Sequence, residues 1–326
     1  MRLLMNGKIF TWLLLYIAVL TLAIACGKSS TPGSNPADKP VLKVVTTTNI
    51  AADWAKKVGG DRVEVFSLLA SDTDPHTFQP GAKDIATVAE ADMVFSSGLG
   101  LEPVWLSKLV KNAAKDPSRV MVLGDSLDAQ SLVKADPGEE EGEDEGPYDP
   151  HFWFDPYLVK QAVSAIADKL SQADPNGASF YKANANSYIS ELDQLDSWIK
   201  GQVAQLPQER RVLVTSHDTF KYFAKRYGFK IVGTVVPGLG TDREPSAADL
   251  ANLLDRIKEQ NVPAIFTENT VSDLLAQRMS EEAGVKVVRK LYTDSLGQPG
   301  SDGDSYIGMV QWDVRTVVDA LSGRGQ

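Results

Sequence analysis

Apolar positions along this chain follow two alternating rhythms. Short β-branched or apolar runs at Val41–Thr47, Val63–Leu69, Met93–Ser97 and Val120–Leu123 predict strands. Between them, Ala51–Val58, Ala82–Ala89 and Pro103–Ala114 predict helices. The same alternation returns after residue 207. Strands are expected at Arg211–Thr215, Lys230–Val236, Ala264–Thr267 and Val285–Val288, and helices near Phe220–Tyr227, Ser246–Glu259, Ser272–Ala283 and Tyr306–Leu321. Strands that alternate with helices build parallel sheets, because parallel neighbours need a crossover between them. The expectation is an α/β fold of two lobes, each with a mainly parallel four-stranded sheet flanked by helices.

One stretch breaks the alternation. From Pro175 to Leu206, apolar residues fall at Tyr181, Ala185, Tyr188, Leu192, Leu195, Ile199, Val203 and Leu206, always three or four apart. Asp174 is a natural N-cap with proline at the first helical position, and Pro207 stops the run. At about 1.5 Å per residue the stretch would reach roughly 48 Å, long enough to join both lobes. Two shorter helices meeting at a kink would satisfy the same pattern.

Two segments fit neither rhythm. Arg2 and Lys8 precede an almost wholly apolar run from Ile9 to Ile24, which ends in Leu22-Ala23-Ile24-Ala25-Cys26. A transmembrane anchor would need a run of that kind, but small residues before a cysteine look like a bacterial lipoprotein cleavage box. Residues 1–25 are therefore read as a signal peptide and Cys26 as the lipidated first residue of the mature chain. Cys26 is the only cysteine, so the fold carries no internal disulfide. Residues 26–40, rich in Ser, Pro, Gly and Asn, read as a flexible tether. Residues 136–149 form an acidic loop without a basic residue, either simply solvated or a weak collector of cations. The remaining boundaries follow: a first lobe at 41–173, the connecting helix at 174–207 and a second lobe at 208–326.

The whole chain has 33 Lys and Arg against 43 Asp and Glu, a net charge of −10, and loses two more positive charges with the signal peptide. Such a balance argues against nucleic acid and suits an extracytoplasmic protein that meets cations. Only three histidines occur, and two share one setting: Asp74-Pro75-His76 and Asp149-Pro150-His151. The third, His217, directly follows the strand Arg211–Thr215. Asp-Pro is a common turn opener and a lone histidine is usually structural. Placement changes that reading. His76, His217, Glu268 and Asp294 all lie past predicted strand ends, where ligands bind in open α/β sheets. Three imidazoles and a carboxylate suit zinc, with manganese also possible.

Together these residues resemble the metal-binding lipoproteins of bacterial ABC importers for zinc and manganese. The matching pieces are the cysteine box at Cys26, Asp74-Pro75-His76, Tyr148-Asp149-Pro150-His151-Phe152-Trp153-Phe154-Asp155 and Thr215-Ser216-His217-Asp218. Further matches are Pro263-Ala264-Ile265-Phe266-Thr267-Glu268, Asp294-Ser295-Leu296-Gly297 and Tyr306-Ile307-Gly308-Met309. The resemblance implies two lobes joined by one long rigid helix, with a metal buried between them. It implies His76, His151, His217 and Asp294 as the four ligands, and handover to a membrane permease driven by a cytoplasmic ATPase. Glu268 would orient a ligand histidine, or would instead form a structural ion pair in the second lobe. Histidine at 217 leans toward zinc, because manganese members of the family often carry glutamate there. The chain departs from many zinc members in having an acidic loop where they have a histidine-rich one.

Three functions compete at this point. A lipid-anchored, monomeric carrier would bind zinc or manganese and perform no chemistry. A zinc hydrolase would keep a coordination position open for water, whereas four protein ligands close the site. A surface adhesin, a role attributed to some relatives, is the third. Ser216-His217-Asp218 suggests a hydrolase, but consecutive residues of an extended segment face opposite sides, and no Gly-x-Ser-x-Gly elbow is present.

Overall fold

The computed structural model describes residues 41–102, 109, 116–135 and 146–323. The signal peptide, Cys26, the tether and the acidic residues 136–145 lie outside them. So does the helix expected at Pro103–Ala114, apart from Leu109, which is helical.

Both lobes form as the alternation requires. In the first, β1 (Leu42–Thr46), β2 (Val63–Ser67), β3 (Met93–Ser96) and β4 (Val120–Val122) pair in parallel in the order β2-β1-β3-β4. In the second, β5 (Val212–Thr215), β6 (Lys230–Thr234), β7 (Ala264–Glu268) and β8 (Lys286–Leu291) repeat that order as β6-β5-β7-β8. Strand order therefore reverses between β1 and β3, and again between β5 and β7. At such a point adjacent crossovers leave on opposite faces of the sheet and open a crevice beyond the strand ends. Strand β8 runs three residues past its expected end, because a register shift near the end of β7 lets Glu268 pair with Leu291.

The crossover helices are α1 (Asn49–Gly59) and α2 (Ala82–Glu90) in the first lobe, and α5 (Lys221–Tyr227), α6 (Ala247–Glu259) and α7 (Leu274–Ala283) in the second. α8 (Tyr306–Ser322) closes the chain. Between the lobes run α3 (Pro156–Ala173) and α4 (Ala178–Val203). The apolar pattern assigned α3 to no element, yet it carries the same start signal as the next helix. Asp155 accepts from the Tyr157 N–H and Pro156 takes the first turn. Its buried face (Leu158, Val159, Ala162, Val163, Ile166, Ala167 and Leu170) has helical spacing throughout.

α4 is one uninterrupted helix of 26 residues, so the kinked alternative does not apply. Its start lies three residues later than expected. Asp174 does cap, accepting from the Gly177 N–H, but Pro175–Gly177 first make a single 3-10 turn. The Asp174 carboxylate also accepts from Arg62 Nε at 2.8 Å and from the Tyr181 hydroxyl at 2.8 Å, which ties the helix start to the end of α1. All eight apolar positions read from the sequence are buried. α4 packs on α3, α1 and α8, and one hydrophobic cluster continues from Val44 and Trp54 through its face to Leu213, Phe266 and Met309. The two sheets thus share a core instead of each closing its own. Smaller clusters cover the outer faces, one around Val45, Val88 and Val94 and one around Val214, Leu253 and Ile265.

Leu192 is fully buried at the middle of α4. Leu192→Ala is expected to cost about 2–5 kcal/mol, the lost transfer energy plus the cavity left behind. Urea unfolding of the two proteins measures it, and an unchanged midpoint would show that this helix face does not hold the shared core.

Candidate metal centre

Two local devices deliver the three histidines. Asp74-Pro75-His76 lies in the connection after β2. Proline fixes its own φ and keeps the preceding aspartate extended, and the Asp74 carboxylate turns back to accept from the His76 N–H at 2.9 Å. Asp149-Pro150-His151, in the connection before α3, repeats the turn, with Asp149 Oδ1 accepting from the His151 N–H at 2.8 Å. The repeated tripeptide is one turn used twice to aim an imidazole. His217 sits two residues beyond β5, and its N–H donates at 3.0 Å to Glu268 Oε1 at the end of β7. Asp294 follows β8 by three residues.

These four side chains meet. One ligand atom from each of His76, His151, His217 and Asp294 lies within 4.8 Å of all the others. His217 Nε2 is 3.3 Å from His151 Nε2 and 3.2 Å from Asp294 Oδ2. His151 Nε2 is 3.5 Å from Asp294 Oδ1, and His76 Nε2 is 3.9 Å from Asp294 Oδ2. His151, His217 and Asp294 are at most 1% exposed, while the His76 side chain retains 9%.

The far sides of two rings are already committed. Asp149 Oδ1 lies 2.8 Å from His151 Nδ1, and Glu268 Oε2 lies 2.6 Å from His217 Nδ1. An ionised carboxylate only accepts, so the proton of His151 sits on Nδ1 and its Nε2 lone pair faces the common centre, while the charge contact with Glu268 favours a proton on His217 Nδ1. Glu268 is held by the Thr293 hydroxyl, which donates to Oε2 at 3.0 Å. It therefore stands behind the ring of His217, not in a separate ion pair. Asp149 plays the same part for His151. Sequence reasoning placed Asp149 in a turn but gave it no role, although the Asp-Pro-His turn that aims His151 also brings this carboxylate to its ring.

The electrostatics describe a centre that wants positive charge. Burial lowers the His76 pKa to about 4, against the pull of Asp294. Burial works against charge on His217 too, but the Glu268 and Asp294 carboxylates outweigh it and hold that imidazole well above its ordinary range. For Asp294, burial favours the neutral acid, yet the three histidines overcome this and keep it ionised far below its usual pKa. Apart from the imidazoles that face it, neither Asp294 oxygen has a hydrogen-bond donor among the described residues, and His76 Nε2 has no partner either. Buried polar atoms without partners are uncommon in folded proteins, and this group fits a cation held among them. Ser216 and Asp218 take no part: Asp218 pairs with Lys221 at 3.0 Å, and the carboxylate at the His217 ring is Glu268.

Comparison with known proteins gives a consistent picture. Residues 44–320 match the family described as zinc-uptake complex component A, periplasmic (ZnuA). The chain is 34% identical over 318 residues to the manganese-binding lipoprotein MntA of Halalkalibacterium halodurans, covering 98% of this chain and 100% of that one. It is 31% identical over 323 residues to the manganese ABC transporter substrate-binding lipoprotein PsaA of Streptococcus pneumoniae, covering 97% and 99%. Its fold is similar to that of the periplasmic zinc-binding protein TroA of Treponema pallidum, with a TM-score of 0.80 and 28% identity over 86% of this chain and 99% of that one.

Glu268→Gln removes one of the two carboxylates that stabilise the His217 imidazolium, so the His217 pKa of the metal-free protein should move down. A histidine NMR titration measures this directly, and an unmoved His217 resonance would contradict the role given to Glu268.

Proposed function

Because this chain belongs to the ZnuA family of periplasmic zinc-uptake components, we propose that it captures a divalent transition-metal ion between its lobes and delivers it to an ABC permease. His76, His151, His217 and Asp294 are the ligands in this reading, and zinc or manganese is the cargo. The observation that carries it is the convergence of three Nε2 atoms and one carboxylate on a dry centre. A zinc ion held by four ligands at about 2.0–2.1 Å in a tetrahedron sets them about 3.3–3.4 Å apart. Four of the separations run from 3.2 to 3.9 Å and all lie within 4.8 Å, so the four groups would draw inward around the ion, His76 among them. Four protein ligands leave no position for an attacking water, which favours a carrier over a hydrolase.

Imidazole-rich sites favour zinc over manganese at equal supply, and carboxylate oxygen suits manganese. Both Asp294 oxygens face the centre, one toward His151 and one toward His217 and His76. That allows a fifth bond for a larger ion. MntA and PsaA are named for manganese, so ligand type alone does not choose the cargo, and direct competition between the two ions is the test. The reading extends to the segments outside the described residues: signal peptide 1–25, a lipid on Cys26 and a tether at 26–40 that keeps the carrier near its permease. No helix among the described residues is long and apolar enough to cross a membrane.

Elemental analysis of residues 27–326, followed by direct zinc-manganese competition, tests the reading. One ion per chain is expected. Asp149→Asn and Glu268→Gln should weaken binding about 10- to 100-fold, as losses behind ligating histidines do, and His217→Ala should weaken it far more. Wild-type affinity in His217→Ala would overturn the ligand set.

The site also predicts a proton count. Around neutral pH the metal-free His217 holds a proton on Nε2, where the metal must bind, while His76 is already neutral. Binding at pH 7 should therefore release at least one proton per ion. Affinity should rise about tenfold per pH unit while that proton must be displaced, and fall more steeply as pH drops toward 4, where His76 also charges. Calorimetry in buffers of different ionisation enthalpy measures the release, and binding without proton release would contradict it.

A further inference from the structure

The connection carrying His76 meets the second lobe through a compact set of polar bonds. Ser71 Oγ donates to the Gly297 carbonyl at 2.9 Å, and the Asp72 N–H donates to Ser295 Oγ at 2.9 Å. The Asp72 carboxylate accepts from Asn269 Nδ2 at 2.9 Å on one oxygen and from Gln298 Nε2 at 2.8 Å on the other. Thr241 donates to Asp74, the carboxylate that holds the His76 N–H. Asp72 has φ of 61°, a left-handed backbone that few residues other than glycine adopt and that Asp and Asn tolerate best. Three side-chain and backbone bonds to the second lobe hold it there.

Asn269 is the centre of this set. Its Oδ1 accepts from the Thr293 N–H at 3.2 Å, and its Nδ2 donates to the Ser295 carbonyl at 3.1 Å as well as to Asp72. Its orientation is forced, since a backbone N–H only donates and a carboxylate only accepts. One amide therefore grips the residues on both sides of Asp294 and, across the cleft, the connection that carries His76.

The other side of the cleft is built differently. The His151 turn is tied to the second lobe by Trp153 Nε1 donating to the Thr293 carbonyl and by the Tyr306 hydroxyl donating to the Trp153 carbonyl, both at buried residues. Phe154 stacks on Phe220 beside them with ring centroids 4.4 Å apart. Opening there would wet aromatic surface and break buried bonds, whereas Asp72 and Gln298 are exposed and water can replace their bonds. Resting on the metal-binding reading above, we propose that Asn269 and Asp72 are positioning residues that latch the His76 connection across the cleft, and that their bond sets the rate at which bound metal leaves. Release then begins with departure of His76 while the other three ligands stay together.

The test follows release of zinc, and separately of manganese, into excess chelator by stopped flow, with Trp153 fluorescence as the signal. Asn269→Asp sets a carboxylate against Asp72 and should speed release about tenfold or more, the scale of losing a hydrogen bond to a charged group. Combining it with Asp72→Asn exchanges donor and acceptor and keeps a residue that tolerates the left-handed backbone. The double variant should release more slowly than Asn269→Asp alone, recovering the part of the loss that lies in the bond between 72 and 269, although a carboxylate at 269 still cannot donate to the Ser295 carbonyl. A purely structural role for Asn269 would not be rescued by that exchange. Asp72→Gly, which keeps the backbone conformation at an exposed position, should also speed release and serves should Asn269→Asp fold poorly. Wild-type release from Asp72→Gly or Asn269→Asp, or no rescue in the double variant, would overturn the latch. An equilibrium titration in which wild type binds neither ion would overturn the metal-binding reading, and the latch with it.

Discussion

Three imidazoles and an ionised carboxylate aimed at one point in a dry interior are costly to bury unless positive charge sits among them. Most of the architecture described here serves that requirement. Asp149 and Glu268 stand behind two of the rings, so the Nε2 atoms of His151 and His217 have nowhere to point except the centre. The two carboxylates add negative charge nearby and deepen the demand for a cation. In its absence, His217 carries a proton on behalf of the site. In the proposed reading, metal and proton would therefore compete for one position, which would link binding to pH.

Meeting at a point requires that residues from distant parts of the chain be held still. Two sheets with the same strand order each open a crevice where the order reverses, and β5 and β7 deliver His217 and Glu268 into one of them. The first lobe supplies its histidines from connections, stiffened by proline and by an aspartate that accepts from the histidine N–H. α4 binds the halves into one hydrophobic cluster, so that changing the angle between the sheets would disturb packing along 26 helical residues. The consequence is an unequal cleft. Its aromatic side is sealed by Trp153, Phe154, Phe220 and Tyr306, and its polar side is closed by exchangeable hydrogen bonds around Asp72 and Asn269. Of the four side chains that meet at the centre, His76, on the polar side, is the most exposed.

Much of this was legible in the chain itself. Strand and helix rhythms follow from local burial, and each strand was placed to within a few residues because a buried parallel strand needs a run of β-branched or apolar side chains. The eight apolar positions of the long helix were all buried as their spacing required. α3 was readable by the same rules, since Asp155-Pro156 opens it as Asp174-Pro175 opens the next turn. The three histidines stood out because histidine is scarce here and two share a tripeptide, whereas strand ends offered both Glu268 and Asp294, and only the resemblance to metal-binding lipoproteins chose Asp294 as the carboxylate at the centre.

What the sequence by itself determined was therefore the alternation of elements, the acidic balance and the identity of the polar groups. Tertiary structure alone decided their relations. Asp149 is two residues from His151, yet whether its carboxylate reaches the ring or only the backbone depends on the turn as folded. Asn269 resembles any polar residue after a strand, and Asp72 any residue of a turn. Their bond spans 197 positions of sequence, and no local pattern encodes a contact between two loops that converge only once both sheets and the long helix have packed.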